Sequence, residues 1–465
     1  MSADADWICQ EFATVDFADA RLNKRFLKSA IRFAAKPESS ISLACSSRAE
    51  RKGAYRMFSN PVLDSEEILE PHQMMTGLRL AEHNRVFAIQ DTSFLEFSNH
   101  ESTEGLGSIG NNGRSESLGL ILHSGLAVTE QGYPLGLLSQ QCWARPIKSS
   151  SSRAAQKKRV KARPIEEKES GKWLSALDDT AAFASKKCQI ITLADREGDI
   201  FEFIAKANAA KSSFVVRNSF DRKTSEGRHL SEVLAATMSS GTHVIDLPGG
   251  RGRKAQKVTL EVRFVAVDIA PVVRVSSAKS SEIAYEAVKV FAVEAKQISP
   301  GKEPLHWTLL TSEPVTSFAE AVEKINWYKL RWSIEVFHKI LKSGCRIEDC
   351  RLQHADKLKR YVCLMSIIAV RIFQITMSAR SKPDAPCTSE LTETQWRVLY
   401  MRVHKTKKFP TKTPTLKEAV GWIAELGGYQ NRRTDPPPGI IVIWRGWQTL
   451  EECIAMWEAI ASPEV

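Results

Sequence analysis

The spacing of apolar residues changes along this chain, and each change marks a new kind of element. To about residue 70 the pattern is helical, with basic residues gathered on one side: Asp19-Ala-Arg21-Leu-Asn-Lys24-Arg25-Phe26, then Arg32, Arg48, Arg51, Lys52 and Arg56. Pro61 and Pro71 are expected to punctuate the exit from that module. Short β-type runs follow. Val86-Phe-Ala-Ile89 ends in Gln90-Asp91-Thr92-Ser93, and Leu118 to Val128 and Pro134 to Trp143 read as two strands joined by a turn at Glu130-Gln131-Gly132. After a helical stretch from Gly171 to Ala184, the run Gln189 to Ala194 leads into Asp195-Arg196-Glu197-Gly198-Asp199, and Phe214 to Arg217 is the next strand. Three hairpin-type strands followed by strand, helix and strand predict an α/β fold, a mixed sheet covered by helices.

From about 234 to 304 the period shortens to two, with Val258, Leu260, Val262, Phe264 and then Val288, Val290, Ala292 alternating around Pro248-Gly249-Gly250. This predicts an antiparallel β insertion. Beyond it the helical period returns, with a core helix at 361–375 and helices at about 389–402, 415–427 and 447–461. The expected layout is a helical N-terminal domain at 1–70, a sheet-based core at 71–370 interrupted by the insertion, and a helical region at 371–465.

One predicted helix carries a polar stripe. At about 100° per residue, Tyr328, Arg331, Glu335 and Lys342 fall at roughly 0°, 300°, 340° and 320°, while Leu330, Ile334, Phe337 and Leu341 fall near roughly 180–240°. A carboxylate flanked by a phenol, a guanidinium and an amine suits a metal-bound phosphodiester; a solvated helix face shows the same spacings.

Charge narrows the choice of partner. Lys and Arg number 65 against 54 Asp and Glu, a formal net charge of +11 with a pI near 9.1, which points to a polyanion, with nucleic acid the leading candidate. A polar stretch at 148–164 runs through serines into Arg153, Lys157, Lys158, Arg159, Lys161 and Arg163 and is expected to be a solvated loop of matching sign. The apolar run Tyr361 to Val370 stops at Arg371, short of the ~20 residues of a membrane span, so no membrane partner is expected. The opening Met-Ser-Ala-Asp-Ala-Asp-Trp lacks signal-peptide character, and a cytoplasmic location, on the nucleoid when DNA is bound, is expected. The nine cysteines form no close doublets, and Cys345 and Cys350 lack a matching pair at zinc spacing, so they are expected to be reduced thiols.

Two strands that end in aspartate and one helix that carries a glutamate have a specific use. Residues just past the carboxyl ends of sheet strands project into a shared crevice, so Asp91 and Asp195 can converge and Glu335 can reach them from a covering helix. Three carboxylates at one point repel one another unless cations neutralise them, and hard oxygen ligands suit Mg²⁺ or Mn²⁺. Two such ions activate a water and stabilise the leaving oxygen of an in-line phosphodiester displacement. Each aspartate taken alone reads as a helix N-cap or turn residue.

Gln90-Asp91-Thr92-Ser93, Asp195-Arg196-Glu197 and Tyr328-x2-Arg331-x3-Glu335-x6-Lys342 resemble the three catalytic blocks of the cut-and-paste bacterial insertion-sequence transposases. The match is closest to the tyrosine–arginine–glutamate–lysine family, whose best-known member moves the kanamycin-resistance transposon. Gly53-Ala-Tyr55-Arg56, Glu167 to Leu174, Phe214 to Arg217, Trp307 to Pro314, Arg331 to Lys339 and Trp444-x-Gly-Trp447 are similar to that family too, so the resemblance spans nearly the whole chain. It implies a ribonuclease-H-like core, an N-terminal domain that binds DNA ends, and a C-terminal dimerisation region giving a homodimer on DNA. It also implies two Mg²⁺ ions, with Mn²⁺ able to substitute, held by Asp91, Asp195 and Glu335. Tyr328, Arg331 and Lys342 would hold phosphates, with Arg217 and Lys339 as further DNA contacts and Arg21, Arg25 and Arg56 on the end-binding domain. Trp307 and Trp332 would receive an unstacked base while a hairpin forms. The loop at 148–164 is longer and more basic than the family pattern, and the chain stops soon after Ile460, which leaves the dimer geometry open. The expected activity is cleavage of double-stranded transposon ends, hairpin formation and joining of the 3′ ends to target DNA. A ribonuclease-H-fold nuclease and a DNA-binding regulator without catalysis are the alternatives.

Overall fold

The computed structural model describes residues 3–100, 102–110, 117–146, 163–247, 256–271, 285–299, 304–432, 435 and 437–461. The basic loop expected at 148–164 therefore lies almost entirely outside the described residues. Helices α1 (Ala3–Glu11), α2 (Ala20–Ala35), α3 (Ile41–Ala44), α4 (Arg48–Phe58) and α5 (Ser65–Leu80) open the chain. Asp19, Ser40, Ser47 and Asp64 cap the last four, each side chain accepting from a first-turn backbone N–H. Pro61 lies in the turn before α5, but Pro71 is inside α5 and does not end it. The ring is buried in the core there, and tertiary packing outweighs the hydrogen bond it forgoes.

Among the described residues ten strands form one sheet: β1 (Arg85–Glu96), β2 (Gly107–Ser108), β3 (Leu118–Val128), β4 (Pro134–Trp143), β5 (Gln189–Ala194), β6 (Ser213–Arg217), β7 (Gly241–Leu247), β8 (Gln256–Ile269), β9 (Val288–Gln297) and β10 (His306–Thr311). The order β4-β3-β1-β5-β6, with the first three antiparallel and β5 and β6 parallel to β1, is the ribonuclease-H-like arrangement. The two parallel crossovers run through α6 (Gly171–Ala181) and α7 (Phe201–Ala209), which a parallel pair requires. The β insertion is antiparallel as its alternation predicts. It is not a separate body: β9 pairs with β10, which pairs with β6, so it extends the core sheet. A short helix, α8 (Leu230–Ala236), precedes it.

The sheet has two apolar faces because consecutive strand residues point opposite ways. Ile191, Leu193 and Val215 join one core with the N-terminal helices, and Ala194, Phe214 and Val216 join another under Trp173 of α6 and Phe203 of α7. The remaining helices are α9 (Phe318–Lys329), α10 (Trp332–Lys339), α11 (Ala355–Ser381), α12 (Glu393–His404), α13 (Leu416–Leu426) and α14 (Ile440–Ala461). Helix α11 runs unbroken through the division expected at 370/371. It is long and apolar enough to cross a membrane, yet 83% of its apolar window is buried within the protein. Phe33 and Phe58 pack on Tyr361 of α11 at 6.2 and 5.7 Å, so the first seventy residues share the central core with the rest of the chain. A second tie is polar and buried. Glu11 of α1 pairs with His72 of α5, Arg79 grips the same carboxylate at 2.8 and 2.9 Å, and His72 Nε2 accepts from Leu137 N of β4 at 2.9 Å.

Candidate active site

Strand register brings the two aspartates together. The β1–β5 pairing ends with Gln90 opposite Ala194, so Asp91 and Asp195 follow at the same level on neighbouring strands. Only Asp195 ends its strand. It caps the turn Arg196–Gly198, its Oδ1 accepting from Glu197 N at 2.8 Å. The expectation that Asp91 also terminates a strand is corrected: β1 continues to Glu96 because β3 goes on pairing with it, Asp91 opposite Ser124. Burial, and then the charge of Asp195, push the Asp91 carboxyl up to about 7.

The polar stripe is also reached differently. Tyr328 lies in the last turn of α9, Leu330 and Arg331 form a turn, Glu335 lies on α10, and Lys342 lies in a π turn at Ile340–Gly344, so four residues read as one helix come from four pieces. Tyr328 is buried, its ring edge against Trp307 at 5.2 Å, and its hydroxyl is bonded to Arg217. The Arg331 guanidinium lies 5.9 Å from the centre of that ring and forms an ion pair with Glu335. Burial opposes the Arg331 charge, but Tyr328, Glu335 and Asp91 outweigh it and hold its pKa above the ordinary value. Arg217 goes the other way, lowered chiefly by burial, with Arg196 and Arg331 contributing.

Lys342 does not face the carboxylates freely. Its Nζ donates to Phe94 O at 2.7 Å and pairs with Glu348 at 3.1 Å. Trp332 is 58% exposed and Lys339 is exposed beside it. Arg21 and Arg56 are exposed on α2 and α4, with Arg25 half-buried, on elements that hold none of the three carboxylates. Part of that basic surface is internally neutralised, since Lys28 and Arg32 both bind Glu50, at 3.0 and 3.2 Å.

Sequence reasoning missed four groups around Asp91. His338 of α10 is buried with Nδ1 3.8 Å from Asp91 Oδ2, and burial holds its pKa down to about 3. Ser124 is fully buried, opposite Asp91 on β3, with its hydroxyl unpaired among the described residues. His123 packs edge-on against Trp173 at 4.7 Å and shares a hydrogen bond with Thr92 Oγ1 at 3.0 Å. Lys172, buried between Trp143 and Trp173 at 6.0 Å from each ring centre, pairs with Glu197 at 3.7 Å. His338 and Lys172 stand inside blocks quoted for the resemblance; Ser124 has no sequence signal apart from its register.

Among the described residues no group of three or more His, Cys, Asp and Glu side chains is placed to hold a metal ion. Glu335, the expected third carboxylate, is paired with Arg331. Two features nonetheless fit a hard divalent cation. Asp91 and Asp195 supply adjacent oxygen donors, and an Asp91 raised to about 7 by burial and like charge is what a cation relieves. All nine cysteines are free thiols and none is needed as a ligand.

A ribonuclease-H-like sheet with two aspartates level on neighbouring strands, under a helix that bears a glutamate and follows an arginine, defines an enzyme class that works on phosphodiesters. The chain belongs to the DDE transposases: residues 139–371, half of its length, match the transposase DDE domain. Residues 4–63 match the transposase DNA-binding domain and residues 367–459 the Tn5 transposase dimerisation domain. A solved piggyBac transposase, in a synaptic complex with hairpin DNA, is similar at a TM-score of 0.37 and 10% identity, covering 100% of this chain and 83% of that one. A likeness so remote carries no residue's role.

Proposed function

We propose that this DNA transposase cuts DNA at the ends of its element, closes each end as a hairpin, reopens it and joins the 3′ ends to target DNA. The observation that carries it is the register that sets Asp91 beside Asp195, with Glu335 and Arg331 on the next covering helix and turn. Asp91 and Asp195 are the residues to hold Mg²⁺ or Mn²⁺, joined by Glu335 as the third ligand. Two bound ions would supply water activation and charge neutralisation at the scissile phosphate. The chain's own groups do the rest. Arg217, Arg331 and Lys339 bind phosphates, and a phosphate that takes over the Arg331 guanidinium frees Glu335 toward the aspartates. Trp332, exposed beside Glu335, and Trp307 receive the base displaced as the hairpin forms. On α14, Met456 and Trp457 within the dimerisation segment and Ile460 just past it are exposed apolar side chains, and we assign them to contact between two copies.

The test incubates the protein with duplexes of the inverted repeats flanking its coding sequence and Mg²⁺, and sequences the products. Nicks at the repeat boundary, then hairpins, then joined products support the full reaction. Nicks alone mean a nuclease of this fold, and retarded complexes without any cut mean a binding regulator.

A further inference from the structure

The loop leaving β6 is held more firmly than a surface turn requires. Asp199, 1% exposed, accepts through Oδ2 from Ser219 N at 2.7 Å, Phe220 N at 3.2 Å and Asn218 Nδ2 at 3.2 Å. Its Oδ1 accepts from Arg222 Nε at 2.9 Å, and Arg222 Nη2 donates to the Asp199 carbonyl at 2.8 Å. A buried carboxylate with charge-assisted bonds on both oxygens fixes the backbone from 218 to 222. What this clamp presents to solvent is Phe220, 61% exposed. One face of its ring lies toward the locked Arg222 guanidinium, 5.8 Å from the ring centre. Immobilising a large aromatic ring in water does little for folding, but it prepays the ordering that binding would otherwise cost.

Position gives the ring a partner. Val216 is level with Ala194, so Arg217 leaves the sheet level with Asp195, and Phe220 comes three residues later. A groove opens on each side of the ring, one passing Ile165 and exposed Lys223, the other Leu234, Arg263 and Lys296; Asp221 lines both, and Glu294 of the second is paired with Arg263 at 3.2 Å. Cations around a fixed aromatic match a nucleic acid strand, whose phosphates need the former and whose base faces need the latter.

We propose that Phe220 is a preorganised DNA contact, stacking on a base of the strand that runs past Asp195 along this edge of the sheet. The proposal rests on the chain acting on DNA, and names a contact that reading does not require. Stacking is apolar, so its signature differs from that of the neighbouring cations. Phe220→Ala should weaken binding to the inverted-repeat duplex roughly fivefold to a hundredfold, with an unchanged slope of log affinity against log salt. Phe220→Trp should restore it, and Lys223→Ala should flatten the slope by about one. A 2-aminopurine scan across the duplex should find one position whose quenching depends on Phe220. Thermal melting of the alanine variant should match wild type, since the ring is exposed. Wild-type affinity in Phe220→Ala, or weakened binding that tryptophan does not rescue, overturns the stacking contact while leaving the transposase reading intact. A wild-type chain that neither binds nor cuts the duplex overturns both.

Discussion

Replacing Glu11 with glutamine tests whether the N-terminal helices are part of one body with the catalytic sheet. Glu11 is 2% exposed and holds both His72, whose other nitrogen accepts from β4, and Arg79. Burial opposes its charge, but the Arg79 hydrogen bonds, and then His72, hold the carboxyl at about 2 against an ordinary 4.5. At ~1.36 kcal/mol per pH unit that difference is worth about 3 kcal/mol of stability at neutral pH. The sign follows from a lowered folded-state value: the contribution is complete above about 4.5 and is lost as pH falls through about 2. His72 is also lowered, by burial, so the unfolded chain takes up its proton first and stability begins to fall below 6.5. Glu11→Gln keeps the shape and one acceptor while removing the charge, and should lose about 3 kcal/mol in guanidinium unfolding at pH 7, read by tryptophan fluorescence. Its acid branch should keep the fall that begins near 6.5 and lose the steeper one below 4.5. A variant within ~0.5 kcal/mol of wild type, with the same acid branch, would refute the idea that this buried joint carries an ion pair.

Asp91→Asn, Asp195→Asn or Glu335→Gln should each remove strand cleavage, by at least a hundredfold, while end binding in gel shifts stays within a few-fold; a variant that still cuts takes its residue out of the site. Trp332→Ala should leave thermal melting unchanged because the indole is exposed, yet slow the step after the first nick roughly tenfold, the weight of a lost base stack; equal slowing of both steps would contradict its role. Met456→Glu with Ile460→Glu should shift the DNA-bound protein from dimer to monomer in light scattering without a fall in melting temperature, and a persisting dimer would move the interface elsewhere. Arg331→Ala should weaken DNA binding and flatten its salt dependence by about one, and an unchanged slope would deny it a phosphate.

Much of this was legible because periodicity reports burial. The strand Gln189–Ala194 matches its expected bounds, and the alternation at 258–264 and 288–292 marks β8 and β9. What failed depended on partners. A four-residue apolar run gives no sign that β1 continues to Glu96, since Thr92 to Glu96 are held in the sheet by pairing with β3. The helix stripe broke at Leu330 because periodicity counts residues and cannot see a turn that keeps the same face in use. The basic surface of the N-terminal module is local in sequence and could be read there, whereas the Phe58–Tyr361 contact and the Glu11–His72 pair join positions far apart in the chain and could not.

The carboxylates were the most readable part of the site and their electrostatic setting the least. Spacing can name Glu335 as a ligand, but only the fold reveals that Arg331, four residues before it, already occupies that carboxylate. The same guanidinium faces Tyr328, which with Glu335 and then Asp91 raises its pKa, and it lies in the group expected to meet phosphate. On the proposed reading a single arginine thus stands between the DNA phosphate and the third acidic ligand. It pairs with Glu335, while burial and then Asp195 raise the Asp91 carboxyl to about 7. On the proposed reading, assembly of the metal site depends on substrate, because a phosphate competing for Arg331 would release Glu335 from its ion pair.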